Sequence, residues 1–429
     1  MNITLRSLKP CGLIAAIPSK SHVHRLLIAA ALSDHETVIK CERTNDDIDA
    51  TVRCLNSLGA HIAFGEGMFS VQPIRTPIDE AVLDVGESGS TLRFLVPVVS
   101  ALGVTAHFLM KGRLPARPLS PLRESMEAHG VRFSDAGSNP LTVSGKMRGG
   151  NFTFDGGISS QFTTGLLLAM SRLDEPASIT LTGKIESRPY IDLTCKTMRT
   201  LGIRTETCEN TYTVTGRSSH APSFITAEGD WSNAAFMLAL GAFSEEGVYV
   251  SGLDFNSSQG DRAIFDLIDR FQGNARISSE SCGFRNGTKT AVPSINAADI
   301  PDLVPILSVI AASASGTTVI ENCRRLRLKE SDRIASVCAM INSLGGNAEA
   351  VGDSIVIYGT GFLRGGTVES VNDHRIAMAA AIASVICTDP VTIIGAEAVK
   401  KSYPAFFDDL GKLCGQKITP ETKTEGEVK

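Results

Sequence analysis

Six times along this 429-residue chain an amphipathic helical pattern ends in a glycine and gives way to a short strand-like run. The glycines are Gly59, Gly130, Gly202, Gly273, Gly345 and Gly415, spaced by 71, 72, 71, 72 and 70 residues. Each suits the position just beyond a helix C-terminus, where a left-handed backbone is needed and glycine adopts it without steric cost. The preceding helices carry an apolar stripe at intervals of three and four, as in Ile191, Cys195, Met198 and Leu201. A unit this long does not suit a typical solenoid. It predicts an α/β protein of two globular halves, each built from three units.

A second helical pattern occurs once per unit and differs in kind. Leu26–Leu32, Thr91–Leu102, Phe162–Met170, Ala234–Phe243, Leu303–Ala314 and Ile376–Val385 are apolar on nearly every side and rich in small residues. A helix that is apolar all round is buried, and small side chains let such helices approach closely. The natural division places 19–228 as one three-unit domain inserted into another made of 1–18 and 229–429, with hinges near Pro18 and at 227–229. Beyond Ile418 the tail is charged and rich in Thr, Glu and Lys, a composition that favours disorder.

Bulk properties narrow the functional classes. Hydrophobic residues make up 43% and charged residues 20%, enough for a large core under a soluble surface. The net charge of −5 argues against a general nucleic-acid binder. No apolar stretch is long enough to span a bilayer, and no leader pattern precedes Ile3. The ten cysteines form no CxxC pair, and among the eight histidines only His22 and His24 lie close together, so no metal site is expected. Free thiols in this number fit a reducing compartment, and the cytoplasm is the expected location.

The chemistry concentrates in the turn ahead of each buried helix. These turns read Ser19-Lys20-Ser21, Glu87-Ser88-Gly89-Ser90, Ser159-Ser160-Gln161, Asp230-Trp231-Ser232, Asp299-Ile300-Pro301-Asp302 and Asn372-Asp373-His374-Arg375. Ser, Asp and Asn here are good N-caps. Capping does not call for Lys20, Arg25 or Arg375, whereas helix N-termini carry unpaired N–H groups that favour phosphate and carboxylate. The amphipathic helices are expected to open on charged signatures in matching phase: Arg117-Pro118 and Arg188-Pro189, then Asp261-Arg262 and Asp332-Arg333. Between Arg327 and Arg333 three cations are interleaved with Glu330, Ser331 and Asp332. A carboxylate among cations is what proton transfer beside a phosphate requires.

Taken in order, these residues resemble a known family. Pro18-Ser19-Lys20-Ser21 with Arg25, Gly86-x-Ser88-Gly89-Ser90 with Arg93, Arg113-x-x-x-Arg117-Pro118, Ser159-Ser160-Gln161, Ser187-Arg188-Pro189-Tyr190, Gln259-Gly260-Asp261, Ile300-Pro301-Asp302, Leu328-Lys329-Glu330-Ser331-Asp332-Arg333, Asn372-Asp373-His374-Arg375 and Lys401-Ser402-Tyr403-Pro404 together look like the EPSP synthase family of enolpyruvyl transferases. The resemblance implies two inside-out α/β domains of three repeats each. It implies transfer of the enolpyruvyl group of phosphoenolpyruvate to the 5-hydroxyl of shikimate 3-phosphate by addition and elimination, without cofactor or metal. By the same resemblance Asp302, Glu330 and Lys20 are catalytic. Shikimate 3-phosphate would meet Lys20, Ser21, Arg25, Ser159, Ser160, Gln161, Ser187, Asp302, Arg325 and Lys329. Phosphoenolpyruvate would meet Lys20, Gly89, Arg117, Gln161, Arg333, Arg375 and Lys401. The expected partners are these small molecules alone, with no nucleic acid and no membrane, and the expected assembly is a monomer.

Two positions depart from the family pattern. Glu87 stands where Asn is frequent, and a carboxylate there would repel an anion unless a cation faces it. Arg325 stands where Asn is frequent near the shikimate ring. The sister family acting on UDP-N-acetylglucosamine usually carries a Cys in the loop ahead of Arg117, and Lys111-Gly112-Arg113-Leu114-Pro115-Ala116 has none. Sixfold βα repeats also build DNA clamps, but those place cations along channel-facing helices rather than at turns beside carboxylates.

Overall fold

The computed structural model describes residues 1–217 and 221–421. Of the tail expected to be disordered, residues 422–429 lie outside the described residues. Among the described residues twelve α-helices follow in order: α1 (Lys20–Ala31), α2 (Asp46–Ser57), α3 (Gly89–Leu102), α4 (Leu122–Glu127), α5 (Ser160–Met170), α6 (Arg188–Thr200), α7 (Trp231–Ala242), α8 (Ile264–Arg270), α9 (Val304–Ala312), α10 (Arg333–Ser343), α11 (His374–Ala383) and α12 (Phe406–Leu413). The odd-numbered helices are the apolar ones and are buried on all sides; the even-numbered ones are amphipathic. Most of the apolar helices begin earlier than their apolar run. Lys20, Gly89, Ser160 and Arg375 therefore lie inside the first helical turn, among its unpaired N–H groups.

The described strands form five four-stranded sheets and one three-stranded sheet. One unit shows the pattern. Strand Glu80–Gly86 is followed by α3 and then by the parallel strand Thr105–Met110, with Leu83 opposite Phe108. After α4, strands Arg132–Phe133 and Leu141–Ser144 add antiparallel. Alternate residues Ala81, Leu83 and Val85 are buried while Val82 is exposed, so the sheet has one covered face.

The chain forms two compact units. The terminal unit comprises Met1–Ala16, Trp231–Leu253 and the chain from Asp261 on; the inserted unit comprises Ile17–Asp230 and Asp254–Gly260. Strand Asn2–Leu5 completes the terminal unit's last sheet, pairing antiparallel with Val391–Ile394. The two connecting segments each lend a strand to the unit they leave. Gly12–Ala15 pairs parallel with Val248–Ser251 before the chain enters α1, and Phe224–Thr226 pairs parallel with Thr37–Lys40 before it enters α7. Within the inserted unit the segments also meet each other: Ser19 N donates to Glu228 O at 2.7 Å and Asp230 N to Ile17 O at 2.8 Å.

Inside the inserted unit α1, α3 and α5 share one apolar core with the inner sheet faces. Gly165 of α5 packs on the backbone of α3, and a Cβ there would lie 2.3 Å from the Arg93 carbonyl oxygen. Small-residue helix packing is thus enforced at this point by backbone contact.

The sequence expectations need two corrections. Five of the six repeat glycines take a left-handed φ, between 63° and 96°, but Gly273 does not. In that unit the left-handed residue is Gln272, at φ 62°, and Gly273 is one place later. The N–H of Gln272 reaches Asp269 O and that of Gly273 reaches Ile268 O, the same closing pair of bonds that Gly345 and Gly346 make. A Cβ on Gly273 would meet the Ile268 side chain at 2.7 Å, so that glycine answers close packing. Second, Arg117 and Asp261 do not open amphipathic helices. Arg117 caps the short 3-10 turn Leu114–Ala116 and α4 starts only at Leu122; Asp261 lies in the 3-10 turn Gly260–Ala263 ahead of α8. Pro121, immediately ahead of α4, explains the delay, because a residue preceding proline is pushed out of the helical region.

A Gly165→Ala substitution should lower the urea midpoint of the inserted unit by the equivalent of about 1–3 kcal/mol, the usual cost of overpacking. An unchanged midpoint would mean that α3 and α5 can separate without loss.

Candidate active site

In the terminal unit the charged turns converge on one guanidinium. Arg333 is the first residue of α10 and 1% exposed, with Asp332 capping the helix through Ile334 N and Ala335 N. Its Nη1 donates to Asp302 at 2.6 Å, its Nη2 to Glu330 at 2.8 Å, and its Nε to Asp373 at 2.8 Å. Asp373 is fully buried. It caps α11 by accepting from Arg375 N and also accepts from Ser331 Oγ at 3.0 Å. Asp302 gathers two further cations, Lys329 Nζ at 3.4 Å and Arg375 Nη2 at 3.3 Å. The side chains of Asp302, Lys329 and Glu330 keep 22%, 24% and 23% of their surface exposed, so a ligand can reach them, whereas Asp373 at 0% is structural support.

The electrostatics follow from this crowding. Burial pushes the Asp302 carboxyl up, but Arg375, Lys329 and Arg333 outweigh it and hold the group well below the carboxylate range. Burial would lower Arg333; Asp373, Glu330 and Asp302 outweigh that and raise it. Burial lowers the Lys329 ammonium, with Asp302 opposing. Arg325 donates to Ala298 O at 2.8 Å, and Lys401 donates to Asn372 O at 2.6 Å.

In the inserted unit the groups stand at three helix starts. Lys20 opens α1, its Nζ 2.8 Å from Asp47 in the first turn of α2 and its N–H on Asp230 at 3.0 Å. Ser19 caps α1 and donates to Gln259 at 3.1 Å. One turn on, Arg25 is buried and donates to Thr194, Ser21 O, Thr164 and Tyr190 O, at 2.8, 2.6, 3.2 and 3.1 Å. Burial brings its pKa down to about 10. At α3 Ser88 is the cap, and a Cβ on Gly89 would lie 2.7 Å from one Arg117 nitrogen and 2.8 Å from one Arg93 nitrogen. Two guanidinium groups therefore crowd a helix N-terminus, a strongly anion-attracting arrangement. At α5 Ser159 is the cap, Ser160 is the first residue, and Gln161 donates to Ser90 Oγ at 3.0 Å. Ser187, before α6, is buried in a left-handed conformation at φ 56°, a strained choice for a non-glycine residue.

The structure thus groups Asp302, Lys329, Glu330, Arg333 and Arg375 directly, and gathers Gly89 with Arg117 and Gln161 with Ser90. Arg325 and Lys401 each donate to a backbone carbonyl, of Ala298 and Asn372. Glu87 lies against Gly112, whose Cβ would fall 2.7 Å from the Glu87 carboxyl carbon. Sequence reading did not single out Asp47. Its acidic neighbours Asp46 and Asp49 mark an ordinary helix start, and only the fold brings Lys20 to it.

The family model described as EPSP synthase (3-phosphoshikimate 1-carboxyvinyltransferase) matches residues 10–410. A 3-phosphoshikimate 1-carboxyvinyltransferase of Clostridium kluyveri is 36% identical over 417 residues, spanning 96% of this chain and 97% of its own. The enzyme of that name from Clostridium novyi is 37% identical over 418 residues, spanning 94% and 95%. Among solved structures, EPSP synthase from Acinetobacter baumannii matches with a TM-score of 0.80 at 24% identity, covering 98% of this chain and 99% of that one, a likeness of fold. No helix among the described residues is long and apolar enough to cross a membrane.

A pH dependence follows from His22, whose Nδ1 accepts from Glu228 N at 3.1 Å. Burial, opposed by Glu228 and aided by Arg25 and Lys196, takes its pKa down to about 4. The folded chain keeps this ring neutral while the unfolded chain protonates it below about pH 6.5, so stability should fall as pH drops from there toward 4. His22→Gln should flatten that part of the curve in urea titrations at pH 7.5, 6 and 5; an unaltered slope would assign the loss elsewhere.

Proposed function

The chain belongs to the EPSP synthase family, and from that premise we propose that it transfers the enolpyruvyl group of phosphoenolpyruvate to the 5-hydroxyl of shikimate 3-phosphate, giving 5-enolpyruvylshikimate 3-phosphate and inorganic phosphate. The observation that carries the proposal is the Arg333 cluster, where two reachable carboxylates share one buried guanidinium and the first also holds Lys329 and Arg375.

The reaction adds a proton to the C3 methylene as the hydroxyl attacks C2. It removes a proton from the resulting methyl group as phosphate leaves the tetrahedral intermediate. In this reading Asp302 receives the hydroxyl proton, Glu330 serves the methyl group, and Lys20 supplies a further catalytic cation. With three cations leaning on it, Asp302 is too acidic to be an effective base. The ligands change that. Shikimate 3-phosphate draws on Lys329, and phosphoenolpyruvate draws on Arg333 and Arg375. Each cation that turns toward a ligand loosens its hold on Asp302, whose proton affinity then climbs. Base strength is thereby greatest when both substrates are bound.

On the inserted unit's side, Ser21, Arg25, Ser159, Ser160 and Ser187 belong to shikimate 3-phosphate, Gly89 with Arg117 to phosphoenolpyruvate, and Lys20 and Gln161 to both. Arg25 acts mainly by its charge and by fixing α1 against α5 and α6, since protein acceptors take up most of its donors. Arg forks suit both phosphate and carboxylate. The reading requires no cofactor and no metal, and takes the enzyme to be a monomer of the cytoplasm with domains divided near 18 and 227–229.

Purified protein with both substrates should release phosphate, unaffected by EDTA, and omission of either substrate should abolish release. Asp302→Asn and Glu330→Gln should each reduce kcat by about 10²–10⁴, the usual worth of a general acid or base. Near-normal turnover in either variant would remove that residue from the mechanism. Gly89→Ala should displace the Arg117 guanidinium and raise KM for phosphoenolpyruvate about tenfold with a smaller change in kcat, as expected when a binding contact is lost.

A further inference from the structure

The buried interior of the inserted unit holds a ladder of hydroxyl groups that the catalytic reading does not use. His24, one residue before Arg25 on α1, is fully buried. Its Nδ1 is 2.7 Å from Thr51 Oγ1 on α2, and Thr51 Oγ1 is 2.7 Å from Thr91 Oγ1 on α3. Thr91 Oγ1 lies 2.7 Å from Ser88 Oγ, the α3 cap, and 3.3 Å from the carbonyl oxygen of Asp47. Thr51 and Thr91 have no exposed surface, and Ser88 has 1%. The chain of bonds therefore joins three helices through polar atoms placed entirely out of water, which is costly unless each bond is made.

The direction of the ladder follows from its ends. His24 Nε2 is buried with no hydrogen-bond partner. If the ring proton were on Nε2, a buried N–H would lack an acceptor, the less tolerable of the two defects. The proton is therefore on Nδ1 and donates to Thr51, Thr51 donates to Thr91, and Thr91 donates toward Ser88 and the Asp47 carbonyl. Burial, with Lys20 and Arg25 adding to it, keeps the ring neutral, so this polarity does not reverse in the working pH range.

At Thr91 the ladder forks toward two functional groups. Ser88 is the cap that shapes the α3 N-terminus at Gly89, where Arg117 and Arg93 crowd. Asp47 is the ion-pair partner of Lys20. We propose that His24, Thr51 and Thr91 are positioning residues for phosphoenolpyruvate: their hydroxyl ladder sets the α3 N-terminus and the Lys20 counter-ion in register with each other. The proposal rests on the substrate reading above.

The test is Thr51→Val, which keeps the shape of the side chain and removes the central hydroxyl. KM for phosphoenolpyruvate should rise about tenfold, the loss of roughly one well-made hydrogen bond. KM for shikimate 3-phosphate and kcat should stay within about threefold. Thr51→Ser, which restores the hydroxyl, should recover the wild-type KM. Should the valine variant not fold, Thr51→Cys supplies a weak donor of similar size, and its KM for phosphoenolpyruvate should fall between those of the serine variant and wild type on one side and a tenfold rise on the other. Thermal melting is recorded for every variant. A lowered melting temperature with unaltered KM for phosphoenolpyruvate, or equal loss for both substrates, overturns the proposal. Wild-type protein assayed alongside separates the two levels: turnover by wild type with an indifferent ladder overturns the ladder alone, and absence of wild-type turnover overturns the reading beneath it as well.

Discussion

A guanidinium withdrawn almost wholly from water is the constraint around which the terminal unit is arranged. Arg333 would be untenable at 1% exposure without neutralisation, and Asp302, Glu330 and Asp373 supply it from three separate turns. Each carboxylate has a second duty. Asp373 caps α11, Asp302 stands ahead of α9, and Glu330 sits in the turn that leads into α10. Satisfying one buried charge thus fixes the relative placement of three helix starts. The arrangement stores charge in excess of what stability needs, since a buried ion-pair network is weak evidence of stabilisation. In the proposed reading its value is that Arg333 and Arg375 are already withdrawn from water when an anion arrives.

The inserted unit solves the same problem with less charge. Its cations are held by hydroxyls and carbonyls, as Arg25 is by Thr164, Thr194 and Tyr190 O, or by a single acid, as Lys20 is by Asp47. Helix N-termini supply the remaining positive potential. Ser19, Ser88 and Ser159 each cap a helix whose first residues carry the groups assigned to ligands. Both units therefore set groups assigned to ligands at, or just ahead of, the starts of buried apolar helices.

Much of this was legible in the sequence because helix burial and helix ends leave local marks. The sixfold glycine, the apolar helices and the polar turns between them follow from periodicity alone. The two α/β units emerged from that pattern, and the family likeness agrees with them. Other features depend on distance along the chain and leave no local mark. Lys20 and Asp47 are brought together by the packing of α1 and α2, and Asp302 and Arg375 by the packing of α9 and α11. No spacing rule pairs them. Gln272 escaped notice because the glycine beside it satisfied the pattern while serving a different need, and Arg117 because Pro121 delays a helix that Arg188 and Arg333 begin at once in their own units.

The exchanged strands have a consequence for synthesis. The sheet that needs Gly12–Ala15 cannot close until Val248–Ser251 exists, and Asn2–Leu5 has no partner until Val391–Ile394 has been made. A ribosome releasing this chain in order would complete the inserted unit first, because Phe224–Thr226 supplies its last missing strand. The opening residues would meanwhile wait as unpaired edges through most of translation. Such long-range closures fold slowly and leave edge strands exposed to other chains. The architecture that brings two sets of helix starts into one polypeptide thus places its aggregation risk in the first fifteen residues.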